Sequence, residues 1–513
     1  MNGGQETDKS SMCIKFSSIF GVRYAFLFLV FIGITIFFTC VHPVVLYDAD
    51  DWLNISDMRS VALPKWGAWN PVKVLPETLM PLCGLISAYV VTPILGDYLR
   101  AVTFVTALVI SLAVTAYMGI FFHLIRKAFS LSEGKTAVIS LMFLMFHFLI
   151  FKSQALNNPY LFQAINLTCY YHYVIPGLLN ASLVMYFICL ELEAGDFLRI
   201  PFASKPFLLL AIYFAIFSNV LISIILIAWL VSMLLAKFCC MRSVKGRLSS
   251  LYRDNRPVFW IIAVWLVSLL FEANGGRSHQ IGQGLTWGSF MDTVTMLVAF
   301  FHTNSKGLLI FLTAFVLFVG GAAILKRKSS SSATDDVYFG MMCRCMASVI
   351  VWLVYVVAVS SKAGAAYIVE PGVPLGLFFF LLLVSMGAAA YIMARWNGGY
   401  FVMLLLSFCV LCRTVDAGYP LADSNYESLA SETCIAVDRD IMEQITSNQD
   451  KEHVEIRVPM GNREGNWPHS EDFGMRMAVT LYRHGQISKL PKVVVSRPDN
   501  GMNIKYLVTY SAP

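Results

Sequence analysis

Charge is scarce in this chain. Asp, Glu, Lys and Arg together make up 14% of its 513 residues, while 57% are hydrophobic and the mean hydropathy is +0.66. Soluble globular proteins carry about 25% charged residues, so the composition excludes a chain living mainly in water and implies a polytopic membrane protein. Other signatures are missing too. No Gly-rich Walker-type loop, zinc-ligand spacing or G-x-S-x-G motif occurs, which leaves nucleotide-driven and hydrolase chemistry without support. Most cysteines fall inside apolar runs and the polar C-terminal portion holds only Cys434, so no disulfide framework can be built there. Cys409 and Cys412 form a C-x-x-C, read as small apolar residues of a helix-packing stretch. There is no repeat of fixed period, and the serines at 329–332 make a short flexible loop. The net charge of +6 says little about nucleic acid, and no such partner is expected.

What the chain does have is apolar runs. They recur at about 22–42, 101–125, 136–151, 173–191, 206–218, 220–238, 257–272, 307–325, 341–359, 374–394 and 400–412, giving about eleven spans at the usual ~20-residue requirement. The first run lacks a small-residue cleavage site before it and is followed at once by more runs, so it reads as a retained helix. Lys9, Lys15, Arg23, Arg126, Lys127, Lys135, Lys205, the cluster at 237–256, Lys326, Arg327, Lys328 and Arg395 fall on one side under this threading. The positive-inside rule makes that side cytoplasmic, with residues 1–21 as a cytoplasmic tail and the C-terminus outside.

Residues 43–100 form a long first external loop. Its own apolar stretch, from Leu79 to Leu95, is interrupted by Pro81 and Pro93 and is expected to lie on or dip into the outer membrane surface. Trp52, Trp66 and Trp69 suit the headgroup level of the same loop. After about Arg413 the composition turns polar, and residues 413–513 are expected to form a small α/β domain. Helical spacing covers 438–447 and 471–484; strand alternation covers 453–458, 492–495 and 505–510. The expected fold class is thus an all-α polytopic membrane protein with a transmembrane domain over 22–412 and a small external α/β domain.

Three carboxylates, Asp48, Asp50 and Asp51, follow the first apolar run within four positions. A single Asp there would merely end a helix. Three crowd their charges unless a cation, a donor or a shared proton offsets them, and that arrangement raises at least one pKa toward the range of a general base. A divalent metal is a second use of such a cluster, ranked lower because no His or further acid is close in sequence. A second constellation is F-E-A-N-G-G-R-S-H at 271–279. Its glycines permit a tight turn, and Glu272, Asn274, Arg277 and His279 place charge and donors where a lipid-linked phosphate would lie; the guanidinium fork of Arg277 matches phosphate oxygens. Lys73 and Glu77, Tyr171 and His172, Asn219, Lys362 and Glu370 are further polar residues of the outer face. Each alone also fits a structural role.

An acidic motif in the first external loop, about eleven spans, an N-G-G-R turn on the outer face and a small external C-terminal domain together resemble the GT-C class of membrane glycosyltransferases. Within the class the chain is similar to the serotype-converting O-antigen glucosyltransferases of enteric bacteria and their phages. The resemblance implies transfer of a hexosyl group, glucosyl from undecaprenyl phosphate, to a lipopolysaccharide O-antigen hydroxyl on the periplasmic face of the bacterial inner membrane, with inversion. It puts the general base at Asp50 or Asp51, with Asp48 tuning or orienting. It makes Arg277, with His279 or Lys73, the ligands of the donor phosphate. The expected substrate pocket adds Glu77, Trp69, Tyr171, His172, Asn219, Glu272 and Asn274. No cofactor is implied; a small flippase and a synthase that loads the lipid carrier are implied as pathway partners. The competing readings are a transporter or flippase of a lipid-linked saccharide and an O-antigen polymerase or ligase. The first would put ionisable groups deep in broken helices arranged in two matching halves, and neither feature is visible.

Overall fold

The computed structural model describes residues 21–58, 71–151, 157–194, 205–240, 247–273, 285–303, 306–329, 333–370, 372–396, 399–400, 407–408, 420–425, 429–459, 467–468, 472–495 and 499–508. Among the described residues the chain is mostly helical, with one small two-stranded sheet. Among the described residues nine helices are long and apolar enough to cross a membrane: Val22–Val41, Pro76–Leu95, Tyr98–Phe129, Leu167–Glu193, Val220–Cys239, Arg256–Ala273, Lys306–Lys326, Thr334–Ala363 and Leu375–Arg395. Glu133–Leu149 and Pro206–Ile216 are shorter apolar helices. Every apolar window up to 394 therefore carries a helix; the window at 400–412 lies almost wholly outside the described residues.

Helices with apolar residues all round pack where they are surrounded. Leu375–Arg395 buries 83% and Leu167–Glu193 buries 78% of their apolar windows, so they form the centre, with Tyr98–Phe129 and Val220–Cys239 against them. Val22–Val41 buries only 17% and leaves Phe28, Leu29 and Ile36 exposed. One end of the bundle is closed by ion pairs: Arg395 to Asp335 (2.6 Å), Arg344 to Glu191 (2.5 Å) and Arg126 to Glu133 (2.8 Å). Asp335 is fully buried and also accepts from the Tyr391 hydroxyl at 2.7 Å, which offsets the cost of burying its charge.

The polar C-terminal residues sit over the opposite end. They hold Ser431–Ser447, strand β1 (His453–Ile456), helix Phe473–Arg483, strand β2 (Lys492–Val495) and helix Asn500–Tyr506. β1 and β2 pair in parallel, His453 opposite Lys492, so the chain must cross over between them, and Phe473–Arg483 makes that crossover. In place of the strand expected over 505–510, residues 505–506 are helical, and 509–510 lie outside the described residues. Asp499 accepts from the Gly501 N–H and starts a helix instead, which runs to Tyr506 and stops at Leu507 in the left-handed conformation. Several contacts hold this module to the bundle: Ser431 donates to the Pro43 carbonyl (2.9 Å), Arg439 pairs with Asp97 (2.5 Å), and Tyr98 and His484 share a hydrogen bond of 2.7 Å.

Pro76–Leu95 differs from the other long helices in where its ends lie. A helix of 20 residues is about 30 Å long, so crossing the bundle would separate its ends to opposite faces. Yet its middle meets the module where Gly84 approaches His484, its Tyr89 hydroxyl donates to the Arg483 carbonyl, and the chain just past its end carries the Asp97–Arg439 pair. It lies across the module end, showing Leu82, Leu85, Ile86, Tyr89, Val90, Ile94 and Leu95 on one exposed stripe. A second helix absent from the apolar windows, Trp287–Thr303, packs at that end as well, Thr293 bonding Ser361 at 3.1 Å.

Candidate active site

The first long helix loosens into a π-turn at Phe37–Val41, and after Pro43 the chain runs extended to Tyr47. The helix Ala49–Asn54 then begins. Six residues are too few to hold a helix alone, and three supports hold it. Asp48 is its N-cap: one carboxylate oxygen accepts from the N–H groups of Asp50 (2.9 Å) and Asp51 (3.0 Å), and the other from the Asn166 side chain at 2.6 Å. Asp51 is fully buried. Its Oδ2 accepts from Tyr47 N–H (3.0 Å) and Leu167 N–H (3.1 Å), and its Oδ1 from Thr168 N–H (2.6 Å), so it ties the loop to the start of Leu167–Glu193. Thr480 supplies the third support, its hydroxyl donating to the Trp52 carbonyl and lying 2.7 Å from the Ser56 hydroxyl.

Asp50 is different. Its side chain is 53% exposed and meets Arg476 of Phe473–Arg483 at 2.8 Å, while Arg476 also holds Asp472 at 3.0 Å. Burial drives the Asp48 and Asp51 carboxyls up, and the Asp48 charge adds to the rise at Asp51 while three hydrogen bonds oppose it. The three acids thus divide: two are consumed in building the loop, and one is presented.

The wall beside the aspartates comes from the C-terminal module. Tyr47 stacks on Trp467 (centroids 4.9 Å apart), whose indole N–H donates to Asp438 at 3.2 Å. Asp438 is fully buried. Burial pushes its carboxyl well above the usual carboxylate range and the nearby Asp51 charge pushes it further. His42 and Asp423 pair at 2.9 Å, and the Tyr170 hydroxyl meets Ser424 at 2.7 Å.

Of the other residues singled out, Lys73 and Glu272 stand 3.8 Å apart, which joins the first external loop to the end of the helix preceding the N-G-G-R segment. Lys73 thereby already faces a carboxylate. Tyr171 is buried with its hydroxyl 3.1 Å from that of Thr106, and Asn219 is buried as the cap of Val220–Cys239, accepting from the Leu221 N–H at 2.9 Å; both positions are internal ones. Glu77 and His172 are half-buried. Trp69, Asn274, Arg277 and His279 lie outside the described residues. Among the described residues no group of three or more His, Cys, Asp or Glu is arranged to hold a metal ion.

Arg476, Thr480, Asp438 and Asp423 escape a reading of the sequence alone. Arg476, Thr480 and Arg483 do follow one another at i, i+4 and i+7, a polar stripe on a helix that also buries Phe473, Met477, Ala478 and Leu481. That stripe is the one signal available, and it gives no partner. No family model, curated protein or solved structure matches the chain.

Proposed function

We propose that the chain is a multi-pass membrane glycosyltransferase of the GT-C kind. It takes a hexosyl group, glucosyl in the first instance, from a polyprenyl-phosphate donor and passes it to an O-antigen hydroxyl of lipopolysaccharide at the periplasmic face of the bacterial inner membrane. The N-terminus is cytoplasmic, and the C-terminal module and the Asp48–Asp51 loop share the periplasmic side.

The observation that carries this reading is the division of labour among the aspartates. Asp50 is a carboxylate with an open side, on a short helix whose position is fixed by hydrogen bonds at both ends, which is the mounting a general base needs. In the reaction Asp50 takes the proton of the acceptor hydroxyl as that oxygen bonds to the anomeric carbon. The bond from that carbon to the phosphate oxygen breaks on the opposite face, and configuration inverts. Arg277, with His279, balances the charge growing on the departing phosphate; the Lys73–Glu272 pair ties the end of the helix that precedes them to the first external loop. Asp48 and Asp51 act by holding the loop. A small flippase and a lipid-carrier synthase supply the donor.

The test is reconstitution in nanodiscs with undecaprenyl-phosphate glucose and O-antigen acceptor, read by mass spectrometry. A one-hexose increment on the acceptor is expected with the native protein and is lost in Asp50→Asn. Absence of any increment with the native protein rejects the reading.

A further inference from the structure

We propose that Arg476, contributed by the C-terminal module, is a positioning residue for Asp50. The inference rests on the transferase reading above and adds to it a role for the module, which would then complete the active site rather than cover it.

The geometry has the form of a relay. Asp472 holds one arm of the guanidinium (Nη2 to Oδ2, 3.0 Å), and the other arm holds Asp50 (Nη1 to Oδ1, 2.8 Å). Among the described residues Oδ2 of Asp50 has no hydrogen-bond partner, so one oxygen is fixed while its twin stays available to a substrate hydroxyl. An orienting group behind a base is the recurring arrangement of catalytic machinery, because a base that rotates freely spends most of its time misaligned. Arg suits the task better than Lys, since its planar fork sets two directions at once. The guanidinium is itself aimed by its helix. Thr480, one turn on, holds the Trp52 carbonyl, and Arg483, two turns on, donates to the Ser56 carbonyl (3.2 Å) and pairs with Asp57 (3.1 Å). Three residues on one face of Phe473–Arg483 therefore hold the Asp50 helix and the turn that follows it. Among the described residues Arg476 is the cation in contact with the aspartate cluster.

A merely structural ion pair between exposed groups contributes little, and its loss would leave turnover per folded molecule unchanged. The experiment compares Arg476→Gln, Arg476→Lys and Thr480→Val in nanodiscs by steady-state kinetics and thermal melting. Expected is a fall in kcat of about 10–100-fold for Arg476→Gln with donor KM within about twofold, partial recovery in Arg476→Lys, and a Thr480→Val protein that melts earlier. Three results would each overturn the proposal: kcat of Arg476→Gln within about twofold of native, a change confined to KM, or a loss that tracks the folded fraction. Hydrogen exchange at 49–54 separates this inference from the reading beneath it. If the native protein transfers no sugar but Arg476→Gln speeds exchange there and leaves Tyr98–Phe129 unchanged, the positioning stands and the transferase reading falls. Unchanged exchange at 49–54 removes the positioning whatever the activity.

Discussion

Gly84 and Ile55 meet more closely than any side chain would allow: a Cβ at Gly84 would stand 2.3 Å from the backbone oxygen of Ile55, and 2.9 Å from the His484 ring. The contact joins three parts of the chain, the helix lying across the bundle end, the turn after the Asp50 helix, and the C-terminal module. Gly84→Ala is therefore expected to push these apart. Since backbone is the obstacle, relief requires the helix to shift, and a cost of about 1–3 kcal/mol follows from overpacking of this kind. Gly33, with nothing within 4 Å of its Cβ position, is the control, and Gly33→Ala should leave melting unchanged or raised. Equal melting of the two variants would refute the close docking.

Asp50→Asn and Asp51→Asn should fail in different ways. Asp51 accepts three backbone N–H groups in a fully buried site. An amide there turns a donor against a donor and strands at least one N–H, at about 1–3 kcal/mol for each group left unpaired. Asp51→Asn is thus expected to lower the yield and melting temperature of the membrane-extracted protein. Asp50→Asn, half-exposed and bonded through a side chain that can re-pair, should match the native protein in both while losing sugar transfer. An Asp51→Asn protein as stable as native would show that the loop does not depend on that latch.

How far the sequence alone led can be judged at these same residues. Hydropathy is a one-dimensional property, and so the long helices were legible from it. Trp287–Thr303 was not, because Ser289, Asp292, Thr293 and His302 interrupt its apolar run. The alternation of residues 505–510 imitates a strand, whereas the helix that occupies 500–506 is set by the Asp499 cap, a local signal that outweighs the pattern. That carboxylates crowd at 48–51 is legible as clustered charge. Which acid is buried was not, since the difference between Asp51 and Asp50 depends on backbone donors at Leu167 and Thr168 and on a guanidinium at 476, all far along the chain. Tyr171 and Asn219 read as polar residues of the outer face because each stands near a helix start, and both are internal for that reason: the start of a buried helix needs caps and partners.

Asp438 is expected to make the protein's stability fall as pH rises. Its folded carboxyl lies well above the ordinary value, through burial first and the Asp51 charge second, with the Trp467 hydrogen bond opposing. Between the ordinary carboxylate range and that raised value the folded state holds a proton that the unfolded chain has released, so stability is greatest on the acid side and declines toward higher pH. Asp438→Asn keeps an acceptor for the Trp467 indole and removes the titration. Melting measured across this range should then depend less on pH. Asp48 and Asp51, also raised, leave part of the slope in place. A slope identical to native would mean that Asp438 does not hold a proton in the folded protein.

Two exposed cysteines report which ends of the bundle share a side. Cys40 lies in the π-turn at the end of Val22–Val41, three residues before Pro43, whose carbonyl binds Ser431 of the C-terminal module. Cys239 lies at the end of Val220–Cys239, beside Lys237 and its bond to Asn255 at 2.8 Å. Under the orientation proposed above, with the module periplasmic and the basic residues cytoplasmic, the two thiols should face opposite compartments. In otherwise cysteine-free protein in intact cells stripped of the outer membrane barrier, a membrane-impermeant maleimide is expected to label Cys40 at once and Cys239 only after lysis. A thiol placed in the C-terminal module, at exposed Ser488 for instance, should follow Cys40. Labelling of Cys239 in intact cells with Cys40 protected would invert the orientation and put Asp50 on the cytoplasmic side, against the periplasmic transfer proposed above.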